Sequence, residues 1–233
     1  MNNIVINDYQ NYLLPVEKSE LLQKFDNNFD IVVNTLHLKY DFPVMNFYLY
    51  PSEKIKIQET GEDGYAETNR DTFSIYMVYN DDIKPTGPHE QVHLLTDHLG
   101  ISNFVFSEGL AEYFEEYWKN DIDGKPVRLE HKEWVKKFLE EGTYISINEI
   151  FDDYKFWELD KSTMISYPES GAFIKYLVEK YGPKKVLDAY VKMKRRPEVP
   201  SYNYKIFDNF FGYSVDKAEK DWLEYLEKEN PVA

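Results

Sequence analysis

From Glu17 to about Leu38, the apolar residues Leu21, Leu22, Phe25, Phe29, Val32, Val33 and Leu36 recur at three- and four-residue spacings. That period places them on one stripe of a helix. His37, near the helix end, reads as a solvated or dipole-facing side chain. Residues 1–16 carry no such period and read as irregular, ending at Pro15. Further on, Val44-Met45-Asn46-Phe47-Tyr48-Leu49-Tyr50 has strand character and stops at Pro51. Ile55-Lys56-Ile57 fits a short strand or a helix end. Gly61-Glu62-Asp63-Gly64 is a turn, and Gly64 to Thr68 reads as its polar continuation. Thr72 to Tyr79 is β-branched and aromatic and reads as a second strand.

Asp81 to Gly87 is a loop, and Pro88 suits the first turn of a helix, where no backbone donor is needed. Gly100 ends that helix. Glu108 to about Trp118 is a further helix with Ser107 as a possible N-cap, followed by a loop from Asn120 to Pro126. Trp134, Val135, Phe138 and Leu139 mark a helix closed by Gly142, with His131 ahead of it as a surface residue. Ile147 to Phe151 is a short helix or turn, and Phe156-Trp157 reads as a core anchor or, alternatively, a wall of the cleft. Tyr167 or Pro168 opens a helix that runs to about Tyr181 and ends at Gly182-Pro183. Lys184 to Lys194 is helical, Arg195-Arg196-Pro197 is a basic turn, and residues 202–211 and 215–229 close the chain as two helices. Strands precede residue 80 and helices follow it. This order predicts an α+β fold with segregated elements in one domain, 1–233, made of a strand-rich part to about residue 100 and a helical part after it.

Composition narrows the class. The 233 residues include 42% hydrophobic and 17% aromatic side chains, enough for a real core. There is no cysteine, which excludes disulfides, thiolate metal sites and a cysteine nucleophile. No apolar run approaches a membrane span, and the first residues lack the basic and apolar regions of a secretory signal. The expectation is a cytoplasmic protein that does not engage a membrane. The net charge of −15 disfavours nucleic acid as a partner.

Against this background one stretch stands out. His89-Glu90-Gln91-Val92-His93 is an H-E-x-x-H pattern. On a helix, residues four apart share a face, so both imidazoles can address one metal ion, with Glu90 close enough to act as a general base. The plain alternative is two surface histidines on a polar helix. A third ligand is at hand in Phe106-Ser107-Glu108-Gly109-Leu110-Ala111-Glu112-Tyr113. Glu108 and Glu112 lie one turn apart, and Gly109 removes a side chain where two helices would approach closely. Glu108 is the candidate third ligand. Glu112 is the candidate acceptor for the second N–H of a ligand histidine. The alternative for both is a solvated acidic face shared with Glu115 and Glu116. His98, about 140° round from His93, should point away from such a site.

H-E-x-x-H followed by a short hydrophobic segment and E-G-L-A-E-Y resembles the gluzincin zinc metallopeptidases. The resemblance covers about residues 64–182 and implies a thermolysin-like (zincin) catalytic domain with one Zn2+ per chain, held by His89, His93 and Glu108. It implies peptide or protein substrates, with an edge strand pairing to the extended peptide. Ile165-Ser166-Tyr167-Pro168-Glu169-Ser170-Gly171-Ala172 is similar to the segment after the metal site in the aminopeptidase branch, which would make Tyr167 the oxyanion donor. Its alternative is a core tyrosine, one of 20 here. Gly64-Tyr65-Ala66-Glu67-Thr68 faintly resembles the G-x-M-E-N loop of that branch, which would let Glu67 hold a substrate amino terminus; the methionine and asparagine are both replaced. Pro88 is a departure too, because it puts His89 in the first helical turn. Three outcomes stay open: an active endo- or aminopeptidase, a silent metal-binding interaction module, and a protease held latent by its own N-terminal segment.

Overall fold

The computed structural model describes residues 4–115, 117–120, 126–199 and 201–228. The chain divides into two compact units, Met1–His98 and Leu99–Ala233, and its fold is mixed α+β.

In the first unit the order is β1 (Ile4–Asp8), α1 (Pro15–Leu36), β2 (Met45–Tyr50), α2 (Glu53–Thr60), β3 (Ala66–Asn69), β4 (Ser74–Val78) and α3 (His89–Thr96). The strands form one sheet in the order β1-β2-β4-β3. β1, β2 and β4 run parallel, with Ile6 opposite Phe47 and Phe47 opposite Ile75, while β3 is antiparallel on the edge, with Glu67 opposite Tyr76. Parallel neighbours need a crossover, and α1 supplies it between β1 and β2. Strands and helices therefore alternate in this unit instead of segregating as the sequence order predicts.

Alternation fixes which strand face is buried. Ile4 and Ile6, then Met45, Phe47 and Leu49, then Ile75 and Met77 are buried, together with Leu21, Phe25, Val32 and Leu36 of α1. Phe25 of α1 stacks on Phe47 of β2 with ring centroids 3.9 Å apart. Pro15 opens α1, and Glu17 accepts a hydrogen bond from the Leu14 amide at 2.9 Å. His37 ends the helix in the left-handed region, with φ 52°.

Three local expectations in this unit change. Residues 1–16 are not wholly irregular, because Ile4–Asp8 is a strand; two inward residues are too few to show a period. Ile55-Lys56-Ile57 lies inside α2. The stretch after Gly64 is strand β3, whose polar sequence carries no strand signal.

In the second unit the order is α4 (Phe104–Glu115), β5 (Tyr117–Asn120), β6 (Pro126–Glu130), α5 (His131–Glu141), α6 (Ile147–Ile150), α7 (Asp153–Leu159), α8 (Ser166–Tyr181), α9 (Pro183–Lys192), α10 (Ser201–Phe211) and α11 (Val215–Lys228). α4 and α8 form its central pair. Phe106, Phe151, Phe173, Phe207 and Trp222 fill the surrounding core. The helices touch at two glycines. A Cβ on Gly109 would lie 2.7 Å from the Ser170 carbonyl oxygen, and one on Gly171 would lie 2.6 Å from the Glu112 Cβ. The close approach read from Gly109 is present, and Gly171 is its counterpart on the facing helix.

Here too the sequence reading needs correction. The helix carrying Glu108 starts at Phe104, so Ser107 is inside it, and it ends at Glu115 because Tyr117–Asn120 pairs as a strand with Pro126–Glu130. Of the loop expected between Asn120 and Pro126, residues 121–125 lie outside the described residues, as does Glu116 of the acidic face. His131 is not a surface residue: it opens α5 and is buried. Among the described residues no helix is long and apolar enough to cross a membrane.

Candidate functional site

α3 is held by the residues its sequence turns inward. Val92, Leu94 and Leu95 are buried, and Gln91 donates from Nε2 to the Phe25 carbonyl at 3.0 Å. The Val92 amide bonds the Pro88 carbonyl at 2.9 Å and closes the first turn. His89, Glu90 and His93 remain half-buried. The Nε2 atoms of His89 and His93 are 3.2 Å apart, with the rings inclined by 76°. Two nitrogens each bound to zinc at about 2.05 Å, at the tetrahedral angle, lie ~3.3 Å from one another. The pair thus has the spacing of two nitrogens on one tetrahedral metal ion, although His89 sits in the first helical turn. His98 turns elsewhere, as its angle predicts, and stacks on Tyr40 at 4.3 Å.

On α4, Glu108 and Glu112 are both buried, not on a solvated acidic face. His89, His93 and Glu108 make a group that could hold a metal ion. The donor set is two imidazole nitrogens and one carboxylate oxygen. Glu108 Oε1 lies 3.6 Å from Nη2 of Arg195. Glu112 Oε2 lies 2.8 Å from Nε2 of His131, so the histidine it is seen to engage belongs to α5.

Tyr167 occupies the first turn of α8 and is half-buried, its ring 6.2 Å from Phe156 and 6.4 Å from Trp157. Phe156 is fully buried, the anchor its sequence context predicts. The Asp160 carboxylate accepts from the Ile165 and Ser166 amides at 2.8 Å and from Ser162 Oγ at 2.7 Å. Burial would raise the Asp160 pKa, but these bonds outweigh it and hold the carboxyl below its ordinary range. Asp160 thereby caps the helix that presents Tyr167.

Glu67 lies on edge strand β3, and its carboxylate is already engaged. Oε1 is 3.2 Å from Nζ of Lys56, a side chain with no exposed surface. Lys56 also donates to the carbonyls of Glu62 and Asp63 at 3.1 and 3.3 Å. Glu67 also lines an open cavity of about 700 Å3, together with Glu59, Glu62, Arg70 and Asp71. A substrate ammonium at Glu67 would have to share the carboxylate with Lys56.

Arg195, Lys56, His131 and Asp160 are the residues around these groups that sequence reasoning missed. The Arg-Arg-Pro run was the only signal for Arg195, and a run of charge does not say what it faces. No protein-family model, curated protein or solved structure matches this chain.

Proposed function

We propose that the protein is a zinc-dependent peptidase of the gluzincin type, with one Zn2+ held by His89, His93 and Glu108 in a thermolysin-like catalytic domain. The observation that carries this reading is the 3.2 Å approach of the two Nε2 atoms, which matches a tetrahedral ligand edge. Support comes from the donor set itself and from Glu90, the neighbour of His89 on the same short helix. A neutral imidazole pair sharing one proton would also span 3.2 Å; metal content separates the two.

Zinc bound there would supply a Lewis acid that lowers the pKa of water and polarises a peptide carbonyl. The chain's own groups do the rest. Glu90 takes the proton from the attacking water and passes it to the departing amine. Tyr167 donates its hydroxyl hydrogen bond to the oxyanion that forms at the carbonyl. The substrate is a peptide or protein, and Glu67 on edge strand β3 is the candidate for an amino terminus.

The deciding comparison is elemental zinc and peptide-library cleavage for the wild type, Glu90→Gln and Glu108→Gln. Near-stoichiometric zinc in the wild type and in Glu90→Gln, with turnover lost in the latter, is the expected result. Zinc should fall in Glu108→Gln. Zinc without turnover in the wild type would leave a metal-binding interaction module, and no zinc after reconstitution would end the proposal.

A further inference from the structure

We propose that Arg195 is a positioning residue for Glu108, fixing the direction in which that carboxylate presents an oxygen to the metal. The inference rests on the zinc reading above and goes beyond it, because nothing in the H-E-x-x-H pattern involves an arginine.

Phe104 is the first residue of α4 and Glu108 is four residues on, so the two share a helix face. The guanidinium of Arg195 lies along that face. Its central carbon is 3.6 Å from the centroid of the Phe104 ring, and Nη2 is 3.6 Å from Glu108 Oε1. One edge is fixed separately, since Nε donates to the Ser102 carbonyl at 2.9 Å and the Arg195 amide bonds the Ile101 carbonyl at 3.2 Å. A stacked, hydrogen-bonded guanidinium keeps its plane, which a lysine ammonium cannot reproduce.

The loop bearing Arg195 is tied to the same helix end. Asp153 accepts the Phe104 amide on Oδ1 at 2.7 Å and the Arg196 amide on Oδ2 at 2.5 Å. One carboxylate thus caps α4 and holds the residue after Arg195. The guanidinium beside Glu108 is held by a backbone carbonyl and by the ring it stacks on. Glu108 is buried, so its carboxylate is oriented by what the protein places against it. A cation against Oε1 steadies the carboxylate as a one-oxygen ligand, as groups behind metal ligands commonly do.

The test is a zinc affinity measured by chelator competition on the full-length, metal-stripped protein. It compares the wild type, Arg195→Met, Arg195→Lys and Glu108→Gln, with visible spectra of the cobalt-loaded proteins. Arg195→Met keeps the stem over Phe104 and loses the fork. Zinc binding should weaken by about 10- to 100-fold, and the cobalt bands should shift, because the carboxylate is no longer held. Arg195→Lys should recover part of the affinity. A positive charge also repels the metal, so tighter binding in Arg195→Met would show that charge outweighs orientation and would overturn the proposal. Unchanged affinity and an unchanged cobalt spectrum would overturn it too, and if Glu108→Gln still loses zinc, the metal reading survives alone. If the wild type binds no zinc, both fall. Should Arg195→Met not fold, Phe104→Leu removes the ring beneath the guanidinium; a smaller loss of affinity is expected, and none would overturn the inference.

Discussion

At the scale of single residues, the clearest tension is Glu169. It is wholly buried, accepts the Ile145 amide on Oε1 at 3.0 Å, and has no hydrogen-bond partner on Oε2. Burial pushes its carboxyl well above the ordinary 4.5; the Ile145 bond pulls down, and the nearby negative charges of Glu219 and Asp160 push up. The folded state therefore keeps this proton to higher pH than the unfolded chain does. The contribution is full below about pH 4.5 and is lost as pH rises toward the folded value. Glu169→Gln is neutral at every pH. Its melting temperature should match the wild type near pH 4.5 and exceed it increasingly toward alkaline pH; parallel curves would show that Glu169 ionises without penalty. Glu67 carries a related warning. Glu67→Ala would strip a buried ammonium of its carboxylate, at a cost of about 1–3 kcal/mol. The amine-binding role is better tested with Glu67→Gln and a stability control. Residue roles are legible in the sequence only where helix period turns spacing into direction, as for His89 and His93. Arg195 and Lys56 owe their partners to folding, which no local spacing encodes.

At the scale of elements, carboxylate side chains fasten the starts of α4, α8 and α6. Asp153 caps α4, Asp160 caps α8, and Glu219 of α11 accepts the Ile147 and Asn148 amides at 3.0 Å and the Ser146 hydroxyl at 2.9 Å at the start of α6. Tyr144 donates to the same Glu219, and its own pKa is raised, first by burial and then by that negative charge. The local cap of α4 is Asn103, whose Oδ1 accepts the Phe106 amide at 3.3 Å, and Asp153 accepts the Phe104 amide, so Ser107 lies one turn inside the helix. The longer helices are legible because their apolar stripes are long, while the short α2 and α7, and β1 and β3 of four or five residues, lack a period strong enough to read. The crossing of α4 and α8 gives the element-scale prediction. Gly171→Ala gains about 1 kcal/mol of helix propensity but must displace Glu112, an overpacking cost of about 1–3 kcal/mol. Net destabilisation in denaturant unfolding is expected; a more stable variant would mean the helices separate easily.

At the scale of the whole molecule, the chain carries a net charge of −15 and no cysteine, so neither disulfides nor thiolate chemistry support it. A resident ion would then matter to stability. Zinc at a hundredfold above its Kd adds about 2.7 kcal/mol, which for a chain of this size raises the melting temperature by roughly 5–10 °C. Differential scanning of the metal-stripped protein with and without zinc should show that rise, and Glu108→Gln should blunt it. No shift would count against a bound ion. The α+β character was legible from the order of patterns, but the crossover of α1 between parallel strands was not, because it depends on β1, whose signal is faint.

The close packing of α4 and α8 at Gly109 and Gly171 also decides where substitutions can be tolerated. A side chain at either glycine meets a neighbouring helix, whereas Tyr167 is a half-buried side chain in the first turn of α8. In a library of all single substitutions sorted only for folded, protease-resistant protein, positions 109 and 171 should be depleted while position 167 stays varied. On the proposed peptidase reading, a second sort for turnover would then remove variation at 167 and 90. The residues that constrain this protein's drift through sequence space would thus fall into two sets, one answerable to geometry and the other to chemistry.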